Sequence, residues 1–240
     1  MSTSARTLAT AALLSLGLAA APAVTPAAAP PATAPAADPT ADQIAAIETY
    51  WNDGGWARDS AAVASSASRF LAAQVRAATR GIRRPAAARR ATGRLVAVFD
   101  IDDTVLSSYA CMKGAGFTNL QRSVCVAAGP HSAIKPVVAL VRQAQRAGVR
   151  VAFVTGRPDG LKQLTSDQLA SAGVRGPWTL RLRPSSDHAD SVVPFKASAR
   201  KALQRGGRRV VLSIGDQQSD LSGGAATRTF KLPNPMYTLP

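Results

Sequence analysis

Two closely spaced aspartates, Asp100 and Asp102, directly follow the apolar run 95–99, and the apolar Ile101 separates them. If that run is a strand, residues two apart at its end point to one side, so both carboxylates face the same way while Ile101 turns to the core. One carboxylate can then attack as a nucleophile while the other handles the proton of the leaving group. Two crowded, ionised carboxylates also imply a divalent cation nearby. The alternative interpretation is an acidic turn or a helix cap.

A second acidic pair, Asp216 and Asp220, follows the apolar run 210–214 and Gly215. Carboxylate oxygens are hard ligands of the kind that Mg²⁺ prefers in proteins. The loop after this run therefore suits magnesium binding.

Two further places suit the recognition of a phosphate group. Thr155 and Gly156 follow the apolar run 149–154 and offer a hydroxyl and exposed backbone N–H groups, which can hold a phosphate oxygen, although a Thr-Gly turn is common in any case. Lys196 stands after Pro194, at the start of a predicted helix. A single lysine is usually a solvated surface charge, so its functional interpretation depends on the other motifs.

The elements that would position these residues alternate between strands and helices. Short apolar runs predict strands at 95–99, 149–154, 178–182, 210–214 and 229–232. Helices are predicted between them at 136–147, 160–172 and 195–204, with a short one near residue 219. This alternation predicts an α/β fold with a mainly parallel sheet. Ligand sites in such sheets lie beyond the carboxyl ends of the strands, which is where the polar motifs fall.

The chain before the first strand is predicted to hold an N-terminal helical segment within residues 42–80. Apolar residues recur there at helical spacing, and the turn formers at 52–55 divide the segment into two helices. We expect residues 80–93 to form a loop.

Positive charge predominates, with 29 Lys and Arg against 14 Asp and Glu, a net charge of +15. Such a balance attracts polyanions in general and would also attract an anionic substrate. The densest arginine cluster lies at residues 80–94, without the interleaved aromatic side chains that a nucleic-acid stacking platform requires. We interpret it as a solvated basic linker and expect no specific nucleic-acid partner.

The first residues have the order of a secretory signal peptide. A basic residue, an apolar run and small residues in the A-x-A pattern predict that residues 1–29 are a signal peptide, cleaved near Ala23 or Ala29. The apolar run is too short to span a membrane, so no stable membrane anchor is expected. Residues 30–41 are predicted to be an Ala/Pro-rich spacer. We expect a secreted, extracellular protein; a disordered Ala/Pro leader is the alternative.

Export gives the two cysteines a natural interpretation as one disulfide. Cys111 and Cys125 are the only cysteines in the chain, and secreted proteins meet an oxidising compartment. Closing a loop of this size stabilises a fold by about 3 kcal/mol in the chain-entropy model. Free buried thiols or half of a metal site are the alternatives, although zinc would need further ligands nearby.

Taken in order, the four motifs resemble the haloacid dehalogenase (HAD) superfamily, whose pattern is DxDxT, then Thr or Ser, then Lys, then GDxxxD. The strings FDIDDTVLSS, FVTGR, IGDQQSDL and FKLPNPMY are similar to the acid phosphatase branch, subfamily IIIB, which includes bacterial class B enzymes, plant acid phosphatases and vegetative storage proteins. The string YWNDGGWARDS resembles the N-terminal helical region of the plant proteins. The resemblance covers residue 42 to the C-terminus.

The resemblance implies a Rossmann-like three-layer sandwich over residues 42–240, with a small cap inserted after the first strand at about 105–135. It implies that Asp100 attacks phosphorus and that Asp102 protonates the leaving alcohol and later activates water. The implied phosphate-binding residues are Thr155, Gly156 and Lys196, with Arg157 as an additional contact. The implied Mg²⁺ ligands are Asp100, the backbone carbonyl of Asp102, and Asp216, with Asp220 ligating or supporting. The cap would carry both cysteines, so the disulfide would brace it.

The resulting prediction is a secreted, Mg²⁺-dependent acid phosphatase that hydrolyses small-molecule phosphomonoesters through an aspartyl-phosphate. A non-catalytic storage or binding protein on the same fold is one alternative, and a polyanion-binding protein is another. Phosphotransfer to an alcohol is a third, because the same aspartyl-phosphate serves both reactions.

Overall fold

A five-stranded parallel sheet with helices on both faces forms the centre of the protein. The computed structural model describes residues 38–239, apart from the side chains of residues 126–128. In chain order its elements are α1 (Ala41–Asn52), α2 (Gly55–Thr79), α3 (Pro85–Thr92), β1 (Leu95–Phe99), β2 (Leu106–Ser107), α4 (Tyr109–Gly114), α5 (Asn119–Ala128), β3 (Ser132–Ala133), α6 (Lys135–Arg146), β4 (Arg150–Pro158), α7 (Lys162–Ser171), β5 (Thr179–Arg183), α8 (Val193–Ala202), β6 (Arg209–Gly215) and β7 (Arg228–Lys231). The strand order is β5-β4-β1-β6-β7, and every neighbouring pair is parallel. The predicted α/β class is confirmed.

Alternate residues of β1 pack into two separate cores. Ala97 and Phe99 belong to the larger core, which α2, α6 and α7 cover. Val96 and Val98 face the other way and pack against α8. Because both faces of the strand are buried, it appears in the sequence as a continuous apolar run rather than as an alternating one. The sandwich therefore has three layers, as expected.

The N-terminal helices form where the apolar spacing predicts them. Thr40 caps α1 through a reciprocal pair of hydrogen bonds with Gln43, a capping box that satisfies free N–H groups of the first turn. Gly54, with a φ of 71°, separates α1 from α2. The tight turn predicted at this point is present.

The expectation that residues 80–93 form a loop was wrong, because α3 occupies Pro85–Thr92. Proline is well tolerated at the first position of a helix, where its missing N–H would have had no partner. Alanine and arginine, which make up most of the segment, are strong helix formers. Pro85 therefore marks the start of a helix.

The cap lies between β1 and α6 and consists of the small β2–β3 ribbon with α4 and α5. The predicted disulfide is confirmed, since Cys111 of α4 is bonded to Cys125 of α5. The Tyr109 ring stacks on Trp51 of α1 with centroids 3.8 Å apart. The cap is therefore braced internally and rests on the N-terminal helices.

The predicted signal peptide and most of the predicted spacer lie outside the described residues. Within residues 38–239, every helix is too short or too polar to pass through a membrane.

Candidate active site

Asp100 and Asp102 lie on a tight turn that follows β1. The N–H groups of the two residues after Thr104 return to the carbonyl of Ile101 at 2.8 and 2.9 Å. Asp103 has a positive φ of 50° within this turn, a conformation that aspartate adopts more readily than most residues. The Ile101 side chain is fully buried. A few residues of backbone therefore fix the directions of several acidic side chains.

Lys196 connects two of the acidic loops. Its ammonium group, in the first turns of α8, donates to Oδ1 of Asp100 at 2.9 Å and also to Oδ1 of Asp220. Carboxylate oxygens of Asp100, Asp216 and Asp220 lie within 4.8 Å of one another. All four residues are at least 95% buried. Residues from three separate parts of the sequence thus meet at the carboxyl edge of the sheet.

The loop after β6 packs closely enough to require glycine. The N–H of Gln217 donates to Oδ2 of Asp220 at 2.9 Å, which turns this carboxylate back over the strand end. A Cβ atom at Gly215 would lie 2.3 Å from the Asp220 side chain. Glycine is needed here because only a residue without a side chain allows this approach.

Burial raises the pKa values of the clustered carboxyl groups. It raises the pKa of Asp100 to about 7, a shift that Lys196 opposes and Asp216 increases. Burial, with the charges of Asp220 and Asp103, raises the pKa of Asp216 to about 7. Burial beside Asp100 raises the pKa of Asp220 to about 6. Burial alone would lower the pKa of Lys196, but Asp100 and Asp220 outweigh it and raise that pKa overall.

This donor set fits a divalent cation. Three buried carboxylates lie within reach of one another while a single ammonium group, that of Lys196, forms ion pairs with two of them. Buried negative charge in excess of its counter-charge is unfavourable, and hard oxygen ligands suit Mg²⁺. Asp100, Asp216 and Asp220 are the side chains that would hold the ion. The Asp102 side chain is not part of this group, so its predicted contribution is limited to its backbone carbonyl.

Asp102 is paired with Arg157 instead. The guanidinium Nε lies 3.1 and 3.0 Å from the two carboxylate oxygens, and Nη2 lies 2.6 Å from Oδ1. Nη1 of Arg157 donates to Thr165 and Gln168. The Asp102 side chain is 13% exposed, compared with 5% for Asp100. We predicted Arg157 as a phosphate contact; the structure places it against the proposed proton-transfer group, while both residues line the same cleft.

The predicted phosphate-binding turn lies inside β4, because this strand continues to Pro158 through an irregular register after Val154. Gly156 lines the cleft. Thr155 is fully buried, and its hydroxyl accepts the N–H of Arg157 at 3.2 Å. Of this predicted pair, the glycine is the residue that borders the cleft.

Sequence reasoning missed the C-terminal strap, which we define as residues 232–239. Asn234 Nδ2 donates to Oδ2 of Asp216 at 2.7 Å. The Tyr237 hydroxyl donates to Oδ2 of Asp103 at 2.6 Å, and Ser108 donates to the same carboxylate. The string FKLPNPMY was the available signal, since it resembled relatives without suggesting a chemical role. Asp103, third in the acidic motif, was also not assigned a role.

A cleft of about 360 Å³ opens above this cluster. Its walls come from the cap, from the loop between β5 and α8, from the end of β4 and from the strap. Besides the residues already described it is lined by Arg122, Ser123, Pro158, Leu161, Arg183, Asp190, Val192, Gln217 and Leu239. The cleft is thus charged at its base, with both polar and apolar side chains on its walls.

Several known proteins are similar to this chain. Acid phosphatase 1 of Solanum lycopersicum is 35% identical over 151 residues, which cover 60% of this chain and 59% of that protein. Vegetative storage protein 2 of Arabidopsis thaliana is 33% identical over 149 residues, covering 60% and 56%. The chain spans less than two thirds of the length of these relatives.

Among solved structures, the class C acid phosphatase from Bacillus anthracis has a similar fold. It superposes with a TM-score of 0.61 at 17% identity, covering 82% of this chain and 85% of that one. A family model described as HAD superfamily, subfamily IIIB (acid phosphatase), matches residues 13–240. The family model and the parallel sheet with its acidic carboxyl edge agree with the resemblance seen in the sequence, and the chain therefore belongs to subfamily IIIB of the HAD superfamily.

Proposed function

We propose that this chain is a Mg²⁺-dependent acid phosphatase that hydrolyses small-molecule phosphomonoesters through an aspartyl-phosphate on Asp100. The observation that carries the proposal is the Asp100 carboxylate, which is buried, lies 2.9 Å from the ammonium group of Lys196 and borders the cleft. A carboxylate held in this way beside a fixed cation is suited to attack an anionic phosphate group. The family to which the chain belongs supports the same reaction.

In the first step an oxygen of Asp100 attacks phosphorus. The bond between phosphorus and the ester oxygen breaks, its electron pair stays on that oxygen, and Asp102 delivers a proton to it so that an alcohol leaves. Lys196 neutralises charge on the phosphoryl group, and Gly156 offers a backbone N–H, beside the buried hydroxyl of Thr155. Arg157 holds the Asp102 carboxylate by hydrogen bonds from two of its nitrogens.

In the second step a water molecule attacks the phosphorus atom of the aspartyl-phosphate. Asp102 accepts the proton of the water, and the bond from Asp100 breaks to release inorganic phosphate. When bound, Mg²⁺ would supply positive charge that offsets the repulsion between the carboxylate and the phosphate.

We also infer that the protein is exported, with residues 1–29 as a signal peptide, residues 30–41 as a spacer and residues 42–240 as the catalytic domain. The order of basic, apolar and small residues at the N-terminus supports this inference. The disulfide between Cys111 and Cys125 supports it independently, because such bonds persist in oxidising compartments.

The direct test is hydrolysis of p-nitrophenyl phosphate by the mature protein, with Mg²⁺ and with EDTA. We expect turnover that requires the metal and that falls at least about a thousandfold in Asp100→Asn. Asp167→Asn, an exposed residue of α7, makes the same chemical change away from the cleft and should retain full activity. Reduction with tritiated borohydride during turnover should convert Asp100 to labelled homoserine, since hydride reduces the acyl carbon of an aspartyl-phosphate to an alcohol and releases phosphate. A folded wild-type protein without turnover would refute the proposal.

The second candidate function is storage without catalysis. It is favoured by the names of two relatives, vegetative storage proteins 1 and 2. The same assay distinguishes the two functions, because a storage protein would show no Mg²⁺-dependent turnover. Phosphotransfer is tested by adding glycerol: release of more alcohol than phosphate would show that glycerol accepts the phosphoryl group.

A further inference from the structure

The C-terminal strap runs over the carboxyl edge of the sheet, directly beside the acidic cluster. Its first residue, Leu232, donates its N–H to the carbonyl of Gly215 at 2.8 Å, which continues the pairing of β7 with β6. Beyond this point the chain leaves the sheet, and two polar side chains of the strap, Asn234 and Tyr237, hydrogen-bond the carboxylates of Asp216 and Asp103.

Asn234 fixes one oxygen of Asp216. Oδ2 of Asp216 accepts hydrogen bonds from Asn234 at 2.7 Å and from Gln217 at 2.5 Å, whereas Oδ1 accepts one from Thr104 at 3.2 Å. Two amide donors on Oδ2 set the plane of the carboxylate. Oδ1, with a single hydroxyl donor, is the oxygen with more remaining capacity for a cation.

The amide of Asn234 is itself oriented. Its Oδ1 accepts the N–H of Met236 at 2.9 Å, so its nitrogen must point towards Asp216. Met236 is 4% exposed and packs in a cluster with Ile47 of α1. Trp56 of α2 donates from Nε1 to the carbonyl of Pro233 at 3.0 Å. The residues on both sides of Asn234 are therefore anchored to the N-terminal helices.

The geometry points to Asn234 as a positioning residue of the metal site: the strap holds its amide against Asp216 so that this carboxylate is oriented for Mg²⁺ before the ion arrives. This inference rests on the proposed function, in which Asp216 is a Mg²⁺ ligand. Residues that hydrogen-bond metal ligands typically change metal affinity or activity by about 10- to 100-fold when they are removed.

The experiment compares the wild type with Asn234→Ala and with Asn52→Ala, which makes the same change at an exposed residue of α1. Binding of Mg²⁺ to EDTA-stripped protein is measured by titration calorimetry, and the melting temperature of each metal-free protein is recorded. We expect Asn234→Ala to bind Mg²⁺ about tenfold more weakly, while Asn52→Ala stays within about twofold of the wild type. The Mg²⁺ concentration for half-maximal turnover should rise by the same factor.

A merely structural role predicts a different result. Asn234→Ala would then melt at a lower temperature, but at 20 °C the folded protein would bind Mg²⁺ with wild-type affinity, and this outcome would overturn the inference. To guard against a misfolded alanine variant, Asn234→Ser is measured in parallel; it keeps a small polar side chain but cannot donate an amide N–H, so it too should weaken Mg²⁺ binding. A wild-type protein that neither binds Mg²⁺ nor turns over substrate would instead refute the proposed function.

Discussion

The two edges of the parallel sheet carry opposite charges in opposite environments. At the carboxyl edge, Asp100, Asp216 and Asp220 are almost fully buried and hydrogen-bonded. At the amino edge, Arg94 directly precedes β1, and Arg150 and Arg209 begin the strands on either side of it. These three arginines are exposed, and within residues 38–239 none of them forms an ion pair with an acidic group.

The separation of basic from acidic residues is already visible in the sequence. Residues 60–99 contain no acidic residue and eight arginines, which are Arg69, Arg76, Arg80, Arg83, Arg84, Arg89, Arg90 and Arg94. The clustered acids follow strands at their carboxyl ends. Charges at the amino edge are solvated and screened by salt, so each contributes little to stability. Charges at the carboxyl edge are desolvated, so each one depends on its partner.

Removing Lys196, the cationic partner at the carboxyl edge, should have the largest effect on stability and turnover. Lys196→Met would leave the carboxylates of Asp100 and Asp220 without the cation that bonds both of them. Breaking a buried ion pair from one side destabilises a protein by about 3–5 kcal/mol. We expect that loss in urea unfolding measured in EDTA, a smaller loss in Mg²⁺, and severe loss of turnover. An unchanged unfolding midpoint in EDTA would show that the buried carboxylates do not depend on Lys196 for stability.

Because the carboxylates of the carboxyl edge are buried, the stability of the protein should depend on both pH and Mg²⁺. The pKa values of Asp100 and Asp216 are raised from 3.8 to about 7. Unfolding therefore releases protons between about pH 4 and pH 7, and the stability of the metal-free protein falls as pH rises through this window. Mg²⁺ replaces those protons as counter-charge, so the stabilisation it gives should increase over the same window, by on the order of a few kcal/mol.

Melting temperatures at pH 4.5 and pH 7.5, each with Mg²⁺ or EDTA, test this dependence. Asp167→Asn is the control, because its side chain is exposed on α7 and accepts a hydrogen bond from Gln163 rather than from a residue of the cluster. Equal stabilisation by Mg²⁺ at the two pH values would mean that the ion does not compete with protons at these carboxylates.

Sequence reasoning succeeded where geometry follows from topology. Apolar runs predict the strands, and the carboxyl ends of parallel strands meet at one edge. The meeting of Asp100 with Asp216 follows from that rule, whereas Lys196 lies on α8 and was grouped with them only through the other motifs and the family resemblance. Sequence reasoning failed at α3, because residues 80–93 were expected to form a loop whereas Pro85 begins a helix there, as proline commonly does.

Contacts between distant segments were beyond prediction. Tyr237 and Asp103 are 134 residues apart, and Trp56 and Pro233 are 177 apart. No local period or motif specifies such pairs, because they arise only after the sheet and helices have packed. The pairing of Asp102 with Arg157 was unpredictable for the same reason. Both residues were predicted to belong to the site, but their contact with each other depends on the irregular end of β4.

Trp56→Phe should have a moderate effect on stability and on Mg²⁺ binding, although Trp56 itself hydrogen-bonds the strap and not the acidic cluster. Phenylalanine keeps an aromatic ring for stacking with Trp51 but loses the Nε1 donor to Pro233. Loss of one hydrogen bond destabilises by about 1 kcal/mol. We expect this loss in urea unfolding, together with Mg²⁺ binding weakened by about threefold, because the strap is less firmly held. Trp178→Phe, at a partly buried site outside the strap, is the control and should leave Mg²⁺ affinity unchanged.

Neutralising arginines of α3, the helix that ends just before β1 begins at the amino edge, should have the smallest effect on stability and turnover. Arg89→Gln and Arg90→Gln change two exposed residues of α3, and surface substitutions of this kind usually alter stability by less than about 0.5 kcal/mol each. Turnover should be unchanged, because the edge lies at the other end of the strands from Asp100. What should change is salt-dependent retention on a polyanion such as heparin, since each lost charge lowers the number of counterions released on binding. A large loss of stability or turnover would show that the two edges are coupled, and that the arginines do more than remain solvated.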